Sequence, residues 1–250
     1  MSDTIHLSGD FYLEPFVNGV SSGIIGPIDV DSLEVKPDSN KITVPSKRRG
    51  QYGQTRETYF TAKAATISIK TTEIPPVMLA IAFMADVGTI TQGSGTLTEV
   101  AVTLPAYPKW APLGKTNIAT TGLTVTEGVT PLVLGTDFEI NYALGLIRAK
   151  AGAAIADGGA ITVTATYNAV TGTRFNGNIK PEVKAKLILD GESLVDGKKT
   201  LLTVPMASLS PTSSVDFMSD NPIEVTLEGE LLIVPGETAP FYVDQPEAAA

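Results

Sequence analysis

Hydrophobic and polar residues alternate with a period of two along most of this chain. Residues 161–167, ITVTATY, place Ile161, Val163, Ala165 and Tyr167 on one face and three threonines on the other. That is the pattern of a half-buried antiparallel strand. Residues 223–234, IEVTLEGELLIV, put Ile223, Val225 and Leu227 on one side and Glu224, Thr226 and Glu228 on the other. Gly229 interrupts that run and predicts a bulge. ATISIKT (65–71) and EVKAKLIL (182–189) alternate as well. Turn dipeptides separate such runs: Asn18-Gly19, Asp157-Gly158, Asn176-Gly177, Asp190-Gly191 and Asp196-Gly197. The pattern predicts a mainly β protein.

One segment departs from it. TTEIPPVMLAIAFMADVG carries Pro75 and Pro76 where a first helical turn tolerates proline, and Gly88 beyond the expected end. Residues 77–85 between them are apolar all round, so the predicted helix must be buried on most sides, by its own sheet and by a neighbour. Met78, Leu79, Ile81, Phe83 and Met84 are its expected packing residues. Ala80, Ala82 and Ala85 favour helix over a hydrophobic strand.

The middle reads as an insertion. AYPKWAPLGK (106–115) is a proline-rich boundary. Short strands follow near 123–126, 131–134, 138–142, 146–149 and 161–167, and TGTRFNGN leads back to the main domain. The expected organisation is a main domain of 1–108 and 173–243, an inserted small β-sandwich-like module of 109–172, and a flexible tail of 244–250.

The 250 residues include 43% hydrophobic residues, enough for a sizeable core. No pattern of a signal peptide is present. The longest apolar run, 74–85, is shorter than the ~20 residues a membrane span needs. The chain reads as soluble and made in a cytoplasm, without a membrane span. The net charge is −9, but its distribution says more than its sum. Residues 1–35 have no Lys or Arg and six acids, Asp29 and Asp31 among them. Residues 36–70 have eight bases and two acids, and residues 200–250 have eight acids and no base. The basic peak is SKRRGQYGQTRE (46–57). Its Lys47, Arg48, Arg49, Tyr52 and Arg56 are residue types that contact nucleic acid. Acidic flanks would repel phosphate within a Debye length of about 8–10 Å. Arginine forks pair well with carboxylates, and Gly50 and Gly53 let the backbone turn or pass near a partner. A subunit interface built on these residues, with Asp29 and Asp31 as acidic counterparts, ranks above a solvated loop, and that above a DNA site.

No catalytic constellation emerges. With no cysteine and a single histidine, His6, thiolate chemistry is excluded, and a Ser-His-Asp triad would depend on one residue near the terminus. Only an oxygen-ligand cation site remains conceivable, and DGESLVDGKK lacks the spacing of a calcium loop. QGSGT (92–96) lacks the lysine and helix of a phosphate loop. Tyr107 and Trp110 form a conceivable sugar platform, with packing the plainer reading. No cofactor is expected, and the chain does not read as an enzyme.

Taken in order, GDFYLEPFVNGV, SKRRGQYGQ after DSLEV, PPVMLAIAFMAD, LGTDFEINYALGLIRA, LDGESLVDGKK and IEVTLEGELLI resemble the major tail tube proteins of long-tailed bacteriophages with non-contractile tails. The likeness spans nearly the whole chain and rests on the order of the segments, since none is specific alone. It implies a β-sandwich or barrel-like tube domain with one flanking helix and an outer immunoglobulin-like insert at 109–172. It also implies hexameric rings stacked into a hollow tube, assembled in a host bacterial cytoplasm and carried in the virion. The implied partners are further copies, the tape measure, tail terminator and tail tip proteins, and DNA in passage without specific binding. The family carries no catalytic residues. The rival reading is a β-sandwich adhesion or carbohydrate-binding module on a virion or cell surface, and a hydrolase using paired acids comes third.

Overall fold

The computed structural model describes residues 6–153, 155 and 158–246. The protein is mainly β, with several antiparallel sheets and, among the described residues, one helix. The strands in chain order are β1 (Leu7–Val17), β2 (Val20–Ser21), β3 (Ile25–Ile28), β4 (Ser32–Pro45) and β5 (Thr55–Thr71), followed by α1 (Pro76–Ala82). Then come β6 (Asp86–Gln92), β7 (Gly95–Leu104), β8 (Ala111–Pro112), β9 (Thr124–Glu127), β10 (Thr130–Pro131), β11 (Phe138–Asn141), β12 (Leu146–Ala149) and β13 (Gly159–Tyr167). The chain closes with β14 (Val170–Asn176), β15 (Val183–Ser193), β16 (Lys199–Pro211), β17 (Val225–Leu231) and β18 (Tyr242–Asp244).

Two compact units result, one from the segments up to Val87 and from Phe175 onward, the other from 88–174. In the first, a nine-stranded sheet runs β2-β1-β15-β16-β17-β5-β4, with β3 on β1 and β18 on β16. Alternation buries one face. Phe11, Leu13, Ile67, Ile69, Leu187, Val204, Leu209 and Leu227 form a core that Met78 and Ile81 of α1 complete. Asp244, expected to begin a flexible tail, pairs with Leu201. Residues 247–250 of that tail lie outside the described residues, as does Asp157 of the expected Asp157-Gly158 turn.

The helix forms where the prolines predict, with Pro75 as N-cap and Pro76 in the first turn. It stops earlier than Gly88. Met84 takes the left-handed conformation, φ 49°. The Ala85 N–H donates to Ala80 O at 2.7 Å and the Met84 N–H to Ile81 O at 2.9 Å. These two bonds make a Schellman closure on a non-glycine residue. The final carbonyls are also satisfied from another segment: Asn178 N–H reaches Phe83 O, and Ile179 and Lys180 N–H reach Met84 O. Of the expected packing residues, Met78 and Ile81 are buried, whereas Leu79, Phe83 and Met84 are half-buried.

In the second unit, a four-stranded sheet β10-β9-β13-β7 and a three-stranded sheet β11-β12-β8 share one apolar core. Leu104, Ile147, Ile161 and Val163 lie at its centre. This unit starts at Gly88, not at Lys109. The reason is β7, which pairs along β13 from Leu104↔Gly159 to Gly95↔Tyr167. The proline-rich 106–115 thus lies inside the unit, where it contributes β8 to the three-stranded sheet and Ala111 and Leu113 to the core.

Gly229 sits in unbroken register, opposite Leu209 on one side and Ile67 on the other, so the expected bulge is absent. Glycine is needed there for approach: a Cβ would lie 2.1 Å from the Ser208 carbonyl oxygen. Gly229→Ala must push β16 and β17 apart, and we expect it to lower stability by about 1–3 kcal/mol in chemical denaturation. Gly172→Ala, where a Cβ meets nothing within 4 Å, should leave the midpoint unchanged.

Candidate self-association surface

β5 is longer than the sheet that holds it. It pairs with β17 only from Glu230↔Thr66 to Val225↔Thr71. Toward its N-terminal end it pairs with β4 alone, from Asp38↔Lys63 to Pro45↔Thr55. At the base of that stretch the register shifts between Lys36 and Asp38. Pro37, which has no N–H to give a ladder, occupies the irregularity, and such bulges bend and twist a strand pair. Beyond it β4 and β5 run on as a two-stranded arm of about 25 Å, at ~3.4 Å per residue. Every residue of 55–64 is exposed, so the arm shows both faces to solvent.

The basic stretch forms the tip. The Ser46 N–H donates to Gln54 O at 2.6 Å, and the Gly53 N–H returns to Ser46 O at 2.9 Å. Gly50 and Gly53 both have positive φ, 83° and 85°, with open space where a side chain would be. They are needed for chain reversal, not for close approach. Lys47, Arg48, Arg49, Tyr52 and Arg56 are all exposed, Tyr52 by 80%. Tyr59 and Phe60, consecutive on β5 and so on its opposite faces, are exposed along the arm, Phe60 by 65%. Among the described residues none of the four tip cations has an ion-pair partner.

Asp29 and Asp31 lie at the opposite end. The Asp31 N–H donates to Lys70 O, and buried Thr71 Oγ1 donates to Asp29 O at 2.6 Å. The fourteen residues of β4 separate them from the tip, which is about 45 Å of extended strand. The expected acidic and basic partners therefore do not meet within one subunit.

Sequence reading missed a second acidic feature. On the sheet face opposite the core, Glu34, Ser68, Glu228 and Ser210 are cross-strand neighbours on β4, β5, β17 and β16. Lys36, Thr66, Glu230 and Ser208 form the next row. Short side chains on β5 between long ones on β4 and β17 leave a trough of about 710 Å³. Glu34 was legible only as one acid among many, because strand order decides its neighbours. In the second unit, the sugar-platform candidates each share one face with a cation: the Arg148 guanidinium sits 4.4 Å from the Trp110 ring centre and 5.4 Å from that of Tyr107. Glu139 Oε2 accepts from Arg148 Nε and Nη2 at 2.8 and 2.6 Å, fixing that stack. His6 is exposed. Among the described residues no cluster of His, Asp or Glu is built to hold a metal, and no helix is long and apolar enough to cross a membrane.

One ion pair braces the root of the arm, Lys63 Nζ to Asp38 Oδ2 at 2.8 Å. The hydrogen bond from Lys63, and then that from the Ser39 N–H, hold the Asp38 carboxyl below the usual aspartate range. A depressed folded pKa stabilises above the ordinary aspartate pKa, and the contribution is lost as pH falls through the depressed value. Lys63→Gln should move the Asp38 carboxyl titration, followed by NMR, upward toward the ordinary value. An unmoved midpoint would mean that the pair does not form in solution.

No curated protein matches the chain. Residues 4–240 match a family described as "Protein of unknown function UCP028589". With nearly the whole length matched, the protein belongs to that family.

Proposed function

We propose that this protein is a structural subunit that polymerises head to tail, as the tail tube of a long non-contractile phage tail. The observation that carries the reading is the β4–β5 arm. An isolated two-stranded hairpin is marginal in water, yet this one projects with exposed aromatics and four unpaired cations. Burial against another copy offsets both liabilities: it covers an open strand pair and provides carboxylates for the arginines. A tip that cannot reach its own subunit's acidic root makes a contact between different patches of identical chains. Repeated, such heterologous contacts give rings or filaments.

The finer details follow the sequence resemblance: hexameric rings, ring-on-ring stacking through the arm, a sandwich or barrel-like tube domain and an outward immunoglobulin-like insert. So do a place in the virion, assembly in a host cytoplasm, and the tape measure, terminator and tip proteins as partners. The trough face, where Glu34, Glu228 and Glu230 outnumber Lys36, suits a wall past which DNA slides, since like charge disfavours phosphate contacts. Arg148 stacked on Trp110 and Tyr107 takes one face of each ring, which leaves less aromatic surface for the glycan-binding rival.

The test is to concentrate the purified protein and follow it by sedimentation and negative-stain microscopy, where tubes or rings of uniform diameter are expected. Arg48→Glu with Arg49→Glu should abolish tubes while circular dichroism stays that of the native fold. Normal tubes from that variant would remove the tip from the interface. A persistently monomeric wild type would overturn the reading. Replacing 89–173 by a short flexible linker should leave the first unit folded and able to polymerise, because its core draws on no residue of the second.

A further inference from the structure

Beside α1 lies a groove of about 520 Å³, lined by Phe16, Val17, Val77, Ile81, Val183 and Met206 among others. Across the helix lies the 212–224 connection between β16 and β17. It presents the most exposed large apolar pair in the first unit, Phe217 at 70% and Met218 at 92%. The pair is held out by local structure. Asp216 Oδ1 accepts from the Met218 N–H at 2.9 Å, and Ser219 Oγ from the Asn221 N–H at 3.0 Å.

At 100° per residue, Val77, Ala80 and Ile81 form one stripe of α1, and Leu79 and Phe83 another. Met78 and Ala82, between the two stripes, face the core, which Ile81 joins from the edge of the first stripe. The first stripe borders the groove. The second meets the connection: Phe83 stacks on Phe217 with ring centres 5.6 Å apart and planes at 21°. Knob and groove thus flank opposite sides of one helix, and neither can fill the other within a subunit. Charge favours the pairing of the two. Asp216 and Asp220 bracket the knob, and in the groove Lys180 and Lys184 outnumber the one acid of the lining, Glu182. Among the described residues Lys180 pairs with Asp86 at 2.6 Å, and Lys184, Asp216 and Asp220 have no ion-pair partner.

We propose that the Phe217–Met218 knob of one copy seats in the α1 groove of the next, as the side-to-side contact that closes subunits into a ring. The proposal rests on the self-assembly reading above and adds to it a second interface, separate from the arm. A buried Phe and Met lose apolar surface to solvent-free contact, and the lysine-aspartate rim sets the register.

The absence of native cysteine makes the test clean. Met218→Cys with Val17→Cys, both at exposed positions, is oxidised and run on a denaturing gel. A ladder of covalent multimers ending at a ring-sized species is expected. The control pair Val129→Cys with Val17→Cys should stay monomeric, and Arg48→Glu with Arg49→Glu added to the test pair should keep the ladder while tubes are lost. If the wild type forms tubes but the test pair yields only monomer, the knob-and-groove contact is overturned and self-assembly stands. A ladder from a protein that never forms tubes supports the contact and removes the tube. Monomer in both assays overturns both.

Discussion

The constraint on which the rest depends is the length of β5. Its C-terminal part is locked between β4 and β17 in the sheet, with Ile67 and Ile69 in the core. Its N-terminal part pairs, among the described residues, with β4 alone and leaves Tyr59 and Phe60 exposed. A single strand is thus both a central element of a stable fold and half of an exposed arm. The Pro37 irregularity and the Lys63–Asp38 pair mark the change from one role to the other. The exposed half has a backbone ladder satisfied on one side only, which is the open edge that sheet proteins otherwise pair or cover.

The helix answers a related requirement. A seven-residue helix is too short to persist by propensity alone, so its stability comes from the sheet beneath it and from capping. Met78, Ile81 and Ala82 supply the packing. The Schellman closure on Met84 and the three N–H donors of 178–180 satisfy its last carbonyls. Placing a left-handed conformation on methionine costs about 1–2 kcal/mol, offset by those bonds. So anchored, α1 holds half-buried Val77 on one flank and half-buried Leu79 and Phe83 on the other.

Much of this was legible in the sequence. Period-two alternation located β13, β15 and β17 because a half-buried strand leaves no other pattern, and the proline pair located the start of α1. The helix stop was not legible. Glycine is the usual signal for a left-handed residue, and here methionine holds the position through contacts made by residues almost a hundred positions later. The insert boundary was misplaced for a similar reason: whether 95–104 belongs to one unit or the other depends on its pairing with 159–167, and alternation says that a strand exists but not which strand lies beside it.

The chain by itself determined the fold class, the helix position and the separation of basic from acidic segments, all of which are local in residue order. Only the tertiary structure decided that the basic segment rides on an arm about 25 Å long, far from Asp29 and Asp31. It alone aligned Glu34 with Glu228 and set Phe217 across a helix from an apolar groove. Those outcomes depend on strand order and register. They are fixed by which apolar faces pack together in the core, a property of the whole chain rather than of any segment.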